Sequence, residues 1–235
     1  MKFQYSLLSL LFSISFLSAQ TQLSYWTFDA DTAGASFDNG TGGIQNSGTV
    51  TGLWNHGKSA GFSANGAGQF IVANAESGKY RKFPANGFPM GAYTTGKYRL
   101  EMKFASWKLD PSNLGSLAFE VTDSGGKRIV GWNLFTEKGS KSKIRFSAVC
   151  ASGWQDKGVD YASHMGSLNA SIGLNVAIEF DLDVKTVTYF VDGAALKTIT
   201  DFTGTNIGQL KFFTDGKWTK SGQVVIDQMG LVRLR

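Results

Sequence analysis

Tyr98-Arg99-Leu100-Glu101-Met102-Lys103-Phe104 alternates apolar and charged side chains from one end to the other. A period of two puts Leu100, Met102 and Phe104 on one face and Arg99, Glu101 and Lys103 on the opposite face. That is the pattern of a half-buried β-strand, and no helix presents it. Working outward, similar runs occupy residues 117–122, 128–135, 144–149, 176–182, 186–191, 210–213 and 224–234. Clusters such as Asp123-Ser124-Gly125-Gly126 and Glu137-Lys138-Gly139-Ser140 punctuate them. Asp192-Gly193 follows one run directly and predicts a hairpin, because both residues tolerate positive φ. Helical periodicity is absent and no repeat of solenoid length stands out. The expected fold is all-β, a two-sheet antiparallel sandwich of roughly ten to thirteen strands.

Composition narrows the chemistry. The chain has 235 residues, 42% hydrophobic and 17% charged, which suits one domain with a sizeable core. Cys150 is the single cysteine and His56 and His164 are the only histidines. A disulfide framework, a cysteine zinc site and a multi-histidine metal centre are thereby excluded. Lys2 precedes the apolar run 7–17, and Ala19 offers a cleavage point, so residues 1–19 are expected to be a signal peptide. No later run reaches the ~18 apolar residues of a membrane span, so a secreted protein without stable membrane insertion is expected. The net charge of +5 comes from scattered lysines with no basic stripe. Nucleic acid is therefore disfavoured, and an anionic partner outside the cell fits better.

The segments Leu23-Ser24-Tyr25-Trp26-Thr27-Phe28-Asp29, Thr186-Val187-Thr188-Tyr189-Phe190-Val191-Asp192-Gly193 and Val224-Val225-Ile226-Asp227-Gln228-Met229-Gly230-Leu231 resemble the concanavalin A-like (laminin G-like) jelly roll. The resemblance spans nearly all of residues 20–235 and implies a single jelly-roll domain. Lectins, carbohydrate-binding modules, glycoside hydrolases and polysaccharide lyases share that fold, so it implies a glycan-facing sheet without settling the chemistry. It also implies one structural calcium ion near the first and last strands, for which Asp29 and Asp227 are the matching positions. Backbone carbonyls from residues 38–43 would complete the oxygen shell.

Two functions of different class are open to such a chain. A lyase acting on an acidic, uronate-containing polysaccharide must neutralise a carboxylate, remove the C5 proton and protonate the leaving oxygen. Arg99 and Asn133 are candidates for the first task, and Tyr161 and His164, in Asp160-Tyr161-Ala162-Ser163-His164, for the others. Glu101, Lys103, Arg145, Lys211, Trp154 and Trp218 are candidate substrate-binding residues, the two tryptophans by stacking on sugar rings. The RSELR-, QIH- and YFKAG-like strands of alginate-type lyases are not reproduced; residues 98–103 only faintly echo the first. The alternative is a non-catalytic, lectin-like binder, and a monomer is expected in both cases. Plainer roles stand beside these. Glu179 and Asp181 offer spaced carboxylates to a glycosidase, yet their alternation equally describes a solvated outer face. Arg99, Glu101 and Lys103 equally fit cross-strand ion pairs, and either histidine a structural hydrogen bond.

Overall fold

A computed structural model describes residues 20–31, 33, 62–73, 80–82, 93–108, 115–136, 144–152, 155–160, 169–170, 173–216 and 223–235. The decisive stretch lies inside β5 (Lys97–Lys108), where Tyr98, Leu100, Met102 and Phe104 are buried and Arg99, Glu101 and Lys103 lie on the other side. Its neighbour β11 (Leu174–Asp181) repeats the pattern, with Val176, Ile178 and Phe180 buried, and Leu182 is buried just past its end. Both expected parities hold.

Among the described residues, fifteen strands form two antiparallel sheets. Sheet A runs β13 (Ala194–Ile199), β12 (Thr186–Val191), β11, β5, β15 (Gln223–Leu234), β3 (Phe70–Ala73) and β2 (Phe62–Ala64). Strand β1 (Thr21–Trp26) also pairs with β15, and β10 (Asn169–Ala170) with β5. Sheet B runs β4 (Tyr80–Lys82), β14 (Gln209–Gly216), β6 (Gly115–Thr122), β7 (Arg128–Thr136), β8 (Ile144–Ser152) and β9 (Gln155–Asp160). The count exceeds the expected thirteen because β2, β3, β4 and β10 span only two to four residues, too few for a period of two to register. The hairpin between β12 and β13 turns at Asp192 (φ 49°) and Gly193 (φ 79°), in agreement with the dipeptide signal.

Aromatic rings stitch the two sheets together. Phe70 of sheet A meets Phe212 of sheet B edge-on at 5.9 Å, and Trp132 of sheet B meets Tyr189 of sheet A at 6.3 Å. Phe28 stacks on Phe70 at 5.2 Å, and Phe119 closes on Phe212 at 6.1 Å. Offset and edge-on pairs of this kind add about 0.5–1.5 kcal/mol each beyond simple burial. Trp132 is thus a core residue, and Cys150 is a buried thiol. No helix among the described residues is long and apolar enough to cross a membrane.

Two register shifts in the β5–β15 ladder re-aim side chains on the outer face of sheet A. Ile226 pairs with Phe104, whereas Val225 pairs with Ser106 and Gln228 with Lys103. Ala105 is left as the extra residue on β5, which brings Trp107 back into phase with the core. Asp227 is the extra residue on β15, and bulged residues are re-aimed relative to their ladder.

Candidate functional site

The sandwich has two outer faces, and the sequence candidates divide between them. On sheet A, Arg99 lies opposite Glu179 in the β5–β11 ladder. Its Nε donates to Glu101 Oε2 at 2.9 Å and its Nη1 to Glu179 Oε1 at 3.0 Å. The guanidinium also lies 5.3 Å from the centre of the Phe190 ring. The second oxygen of Glu179 takes Lys97 Nζ at 2.6 Å, and Tyr25 donates its hydroxyl to Glu101 Oε1 at 2.6 Å. Burial above all, then the hydrogen bond and charge of Glu101, hold the Tyr25 hydroxyl far above the ordinary phenol value, while Arg99 opposes them. Farther along the same strand, Lys103 Nζ meets Asp227 Oδ2 at 3.2 Å. Three cations face three carboxylates here, each spending its charge on the others.

This network answers the calcium expectation at Asp227. Its remaining oxygen, Oδ1, accepts from Gln69 Nε2 at 2.9 Å, so both oxygens are engaged and an ammonium sits beside one of them. Asp29 approaches the same β2–β3 turn: a Cβ on Gly68 would lie 2.7 Å from its Oδ1. The residues do come to one turn, but a carboxylate neutralised by lysine does not fit a calcium ligand. Residues 38–43 lie outside the described residues.

Sheet B carries the other candidates. In its ladders Lys211 pairs with Glu120, Glu120 with Gly131, and Gly131 with Val149. The next row in phase is Ala118, Asn133, Ser147 and Asp160. Arg145 pairs with Phe135, one further step in the same phase. Asn133, Lys211 and the backbone position of Arg145 therefore belong to one face. Arg99, Glu101 and Lys103 do not share it. Arg99 and Asn133, candidates for the same task, thus lie on different sheets: alternation gives the side of a strand, while the strand's sheet depends on long-range pairing.

Two charged residues that carry no motif in the sequence complete the sheet B face. Glu120 is almost fully buried despite pointing away from the core, and its Oε1 accepts from Arg128 Nη1 at 2.9 Å. Its side chain crosses Gly131: a Cβ there would come within 2.8 Å of Glu120 Cγ. Lys211 Nζ reaches the carbonyl of Gly126, in the β6–β7 turn, at 3.3 Å. The sequence signals that point toward them are a lone acid in one apolar strand and a mid-strand glycine in the next. Tyr161, His164, Trp154, Trp218 and His56 lie outside the described residues. Tyr161 follows Asp160, the last residue of β9, directly in sequence.

No protein-family model matches the chain, and no curated protein matches it in sequence. Solved structures do resemble it in fold. The binding domain of botulinum neurotoxin serotype D superposes with a TM-score of 0.56 at 10% identity, covering 89% of this chain and 49% of that one. The serotype C1 binding domain gives 0.54 at 8% identity, covering 88% and 49%. This chain thus spans about half the length of those binding domains. The CBM2 module of Lactobacillus casei BL23 phage J-1 evolved Dit gives 0.47 at 12% identity, covering 92% and 96%. What these likenesses share with the chain is the fold, a sandwich of two antiparallel sheets.

Proposed function

We propose that this is an exported protein that engages an acidic polysaccharide on the outer face of sheet B and cleaves it by β-elimination. The observation that carries the reading is the common phase of Asn133, Lys211 and position 145 on that face. Strand β9 reaches the Asn133 row at Asp160, which Tyr161 follows directly in sequence. Charged and amide donors on the face would bind the uronate carboxylate and stabilise the charge that develops as C5 loses its proton. Tyr161 or His164 would take that proton, and the electron pair would form the C4–C5 double bond. The C4–O bond would break, with a proton returned to the departing oxygen. A net positive charge and an N-terminal export signal suit such a substrate.

A lectin-like, non-catalytic role is the second reading. Asn133 and Lys211 would contact an anionic glycan on this face, and binding alone needs neither Tyr161 nor His164. Incubating the protein with a panel of anionic polysaccharides separates the two. Growth of the unsaturated-uronate absorbance band establishes a lyase. A flat trace with retarded migration in a glycan-containing gel establishes the binder. A flat trace with unretarded migration on every polymer removes both.

A further inference from the structure

The proposed function leaves open where on sheet B the acidic groups of the polymer are held, and the ladder of the edge strand β4 bears on it. In that ladder Lys211 pairs with Lys82, Phe212 with Arg81 and Phe213 with Tyr80. Phe212 is buried in the core, where its ring meets Phe70 of the opposite sheet. Positions 211 and 213 therefore belong to the outer face, and positions 82 and 80 share their rows across the ladder. Across the sheet, one row reads Lys82, Lys211, Glu120 and Gly131, and the next Tyr80, Phe213, Ala118 and Asn133.

Two lysines thus occupy directly opposed positions on one face. Opposed positions of an antiparallel pair stand about 5 Å apart at Cβ, and like charges placed there destabilise the pair. The acid next in the row does not answer the charge of Lys211, because the Glu120 carboxylate is turned across Gly131 to Arg128 at 2.9 Å. Lys211 Nζ meets a neutral carbonyl, that of Gly126, at 3.3 Å, and makes no ion pair among the described residues. On sheet A, by contrast, Lys97 and Lys103 each meet a carboxylate. A second lysine opposite Lys211 works against the pairing of the strands, whereas an anion between the two gains from both. Positions 80 and 213 in the adjoining row are aromatic, the residue class that stacks on the apolar face of a sugar.

We propose that Lys82 and Lys211 form a subsite that takes one carboxylate of the polymer, with its sugar ring against the aromatic positions 80 and 213. The inference rests on the reading of sheet B as the glycan face. Asn133 lies two strands from Lys211, about 10 Å at ordinary strand spacing. The subsite therefore holds a sugar other than the one at Asn133, and it contributes to binding rather than to the chemical step. Ammonium groups act as point charges, so the subsite reads charge without the planar fit that a guanidinium demands.

The test measures binding of alginate and polygalacturonate, and of their carboxyl-reduced forms, at several salt concentrations. Wild-type protein should hold the charged forms more tightly, and salt should weaken that preference. Lys82→Gln and Lys211→Gln should each lose about two- to fivefold on the charged forms and nothing on the reduced ones, with a shallower dependence on salt. Lys82→Arg should restore both, and Lys97→Gln on sheet A should match wild type. Tyr80→Ala should weaken both forms alike, because stacking is indifferent to the carboxylate; wild-type binding by that variant overturns the placement of the sugar ring. Wild-type affinity and salt dependence in Lys82→Gln overturn the inference. So does a loss on both forms alike, the mark of a structural lysine, and so does wild-type protein that holds both forms equally. If Lys211→Gln fails to fold, Lys82→Gln on the edge strand decides alone. Wild-type protein that binds neither charged polymer overturns the functional reading itself, a distinct outcome.

Discussion

The outer faces of the two sheets hold similar residues and put them to different uses. On sheet A, Arg99, Lys97 and Lys103 are matched against Glu101, Glu179 and Asp227 at 2.6–3.2 Å. On sheet B, Arg128 and Lys211 stand around Glu120, whose side chain is 7% exposed against 32% for that of Arg128. Arg99 is a cross-brace between two carboxylates, whereas Arg128 meets a carboxylate more buried than itself. What decides is which partner of the ion pair is covered and which is left facing water. An arginine enclosed between two carboxylates gains little from a ligand, because the ligand must first displace a partner.

The largest effect that separates the faces is expected at Arg99. Its truncation to alanine removes the cation shared by Glu101 and Glu179, which lie diagonally on neighbouring strands and are partly shielded from water. Removing one partner of a fully buried pair costs about 3–5 kcal/mol. With 19% of the Arg99 side chain exposed, screening reduces the expected loss to about 2 kcal/mol. Urea unfolding measures it. Glycan binding should survive, and a binding loss at unchanged stability would move function to sheet A.

A smaller effect is expected at Tyr25. Tyr25→Phe removes a hydrogen bond to a carboxylate and should cost about 1–2 kcal/mol. Its pH dependence follows from the direction of the shift. The folded protein keeps Tyr25 protonated to higher pH than the unfolded chain, whose phenol titrates near pH 10. The stabilisation is therefore complete below about pH 10 and lost as pH rises through and above it. Tyr98, raised chiefly by burial, contributes in the same sense. Tyr25→Phe should flatten the alkaline decline in melting temperature without abolishing it. An unchanged slope would show that the Tyr25–Glu101 contact does not form in solution.

The contrast between the faces also marks what a sequence can disclose. Alternation around Leu100 and Ile178 specifies which side chains enter the core, because strand geometry is local. It equally specifies that Arg99, Asn133 and Lys211 point outward. It does not specify that β5 belongs to one sheet and β7 and β14 to the other, since those pairings join residues far apart in the chain. The bulge at Asp227 is hidden for a related reason: an extra residue shows only against its partner strand. Glu120 is hidden as an isolated charge in an apolar run, and Arg128 because it follows Lys127 directly after a turn. Only the ladder shows that Gly131 lies opposite Glu120 and opens the path between them.

The most direct test of sheet B as the working face uses lysines as reporters. Lys97 and Lys103 keep 47% and 43% of their side-chain surfaces exposed on sheet A, and Lys211 is half-buried on sheet B. Acetylation of each is followed by peptide mass spectrometry, with and without a saturating uronate polymer. The account predicts slower modification of Lys211 when polymer is present and unchanged rates at Lys97 and Lys103. Protection of Lys97 and Lys103 with Lys211 unaffected would contradict it.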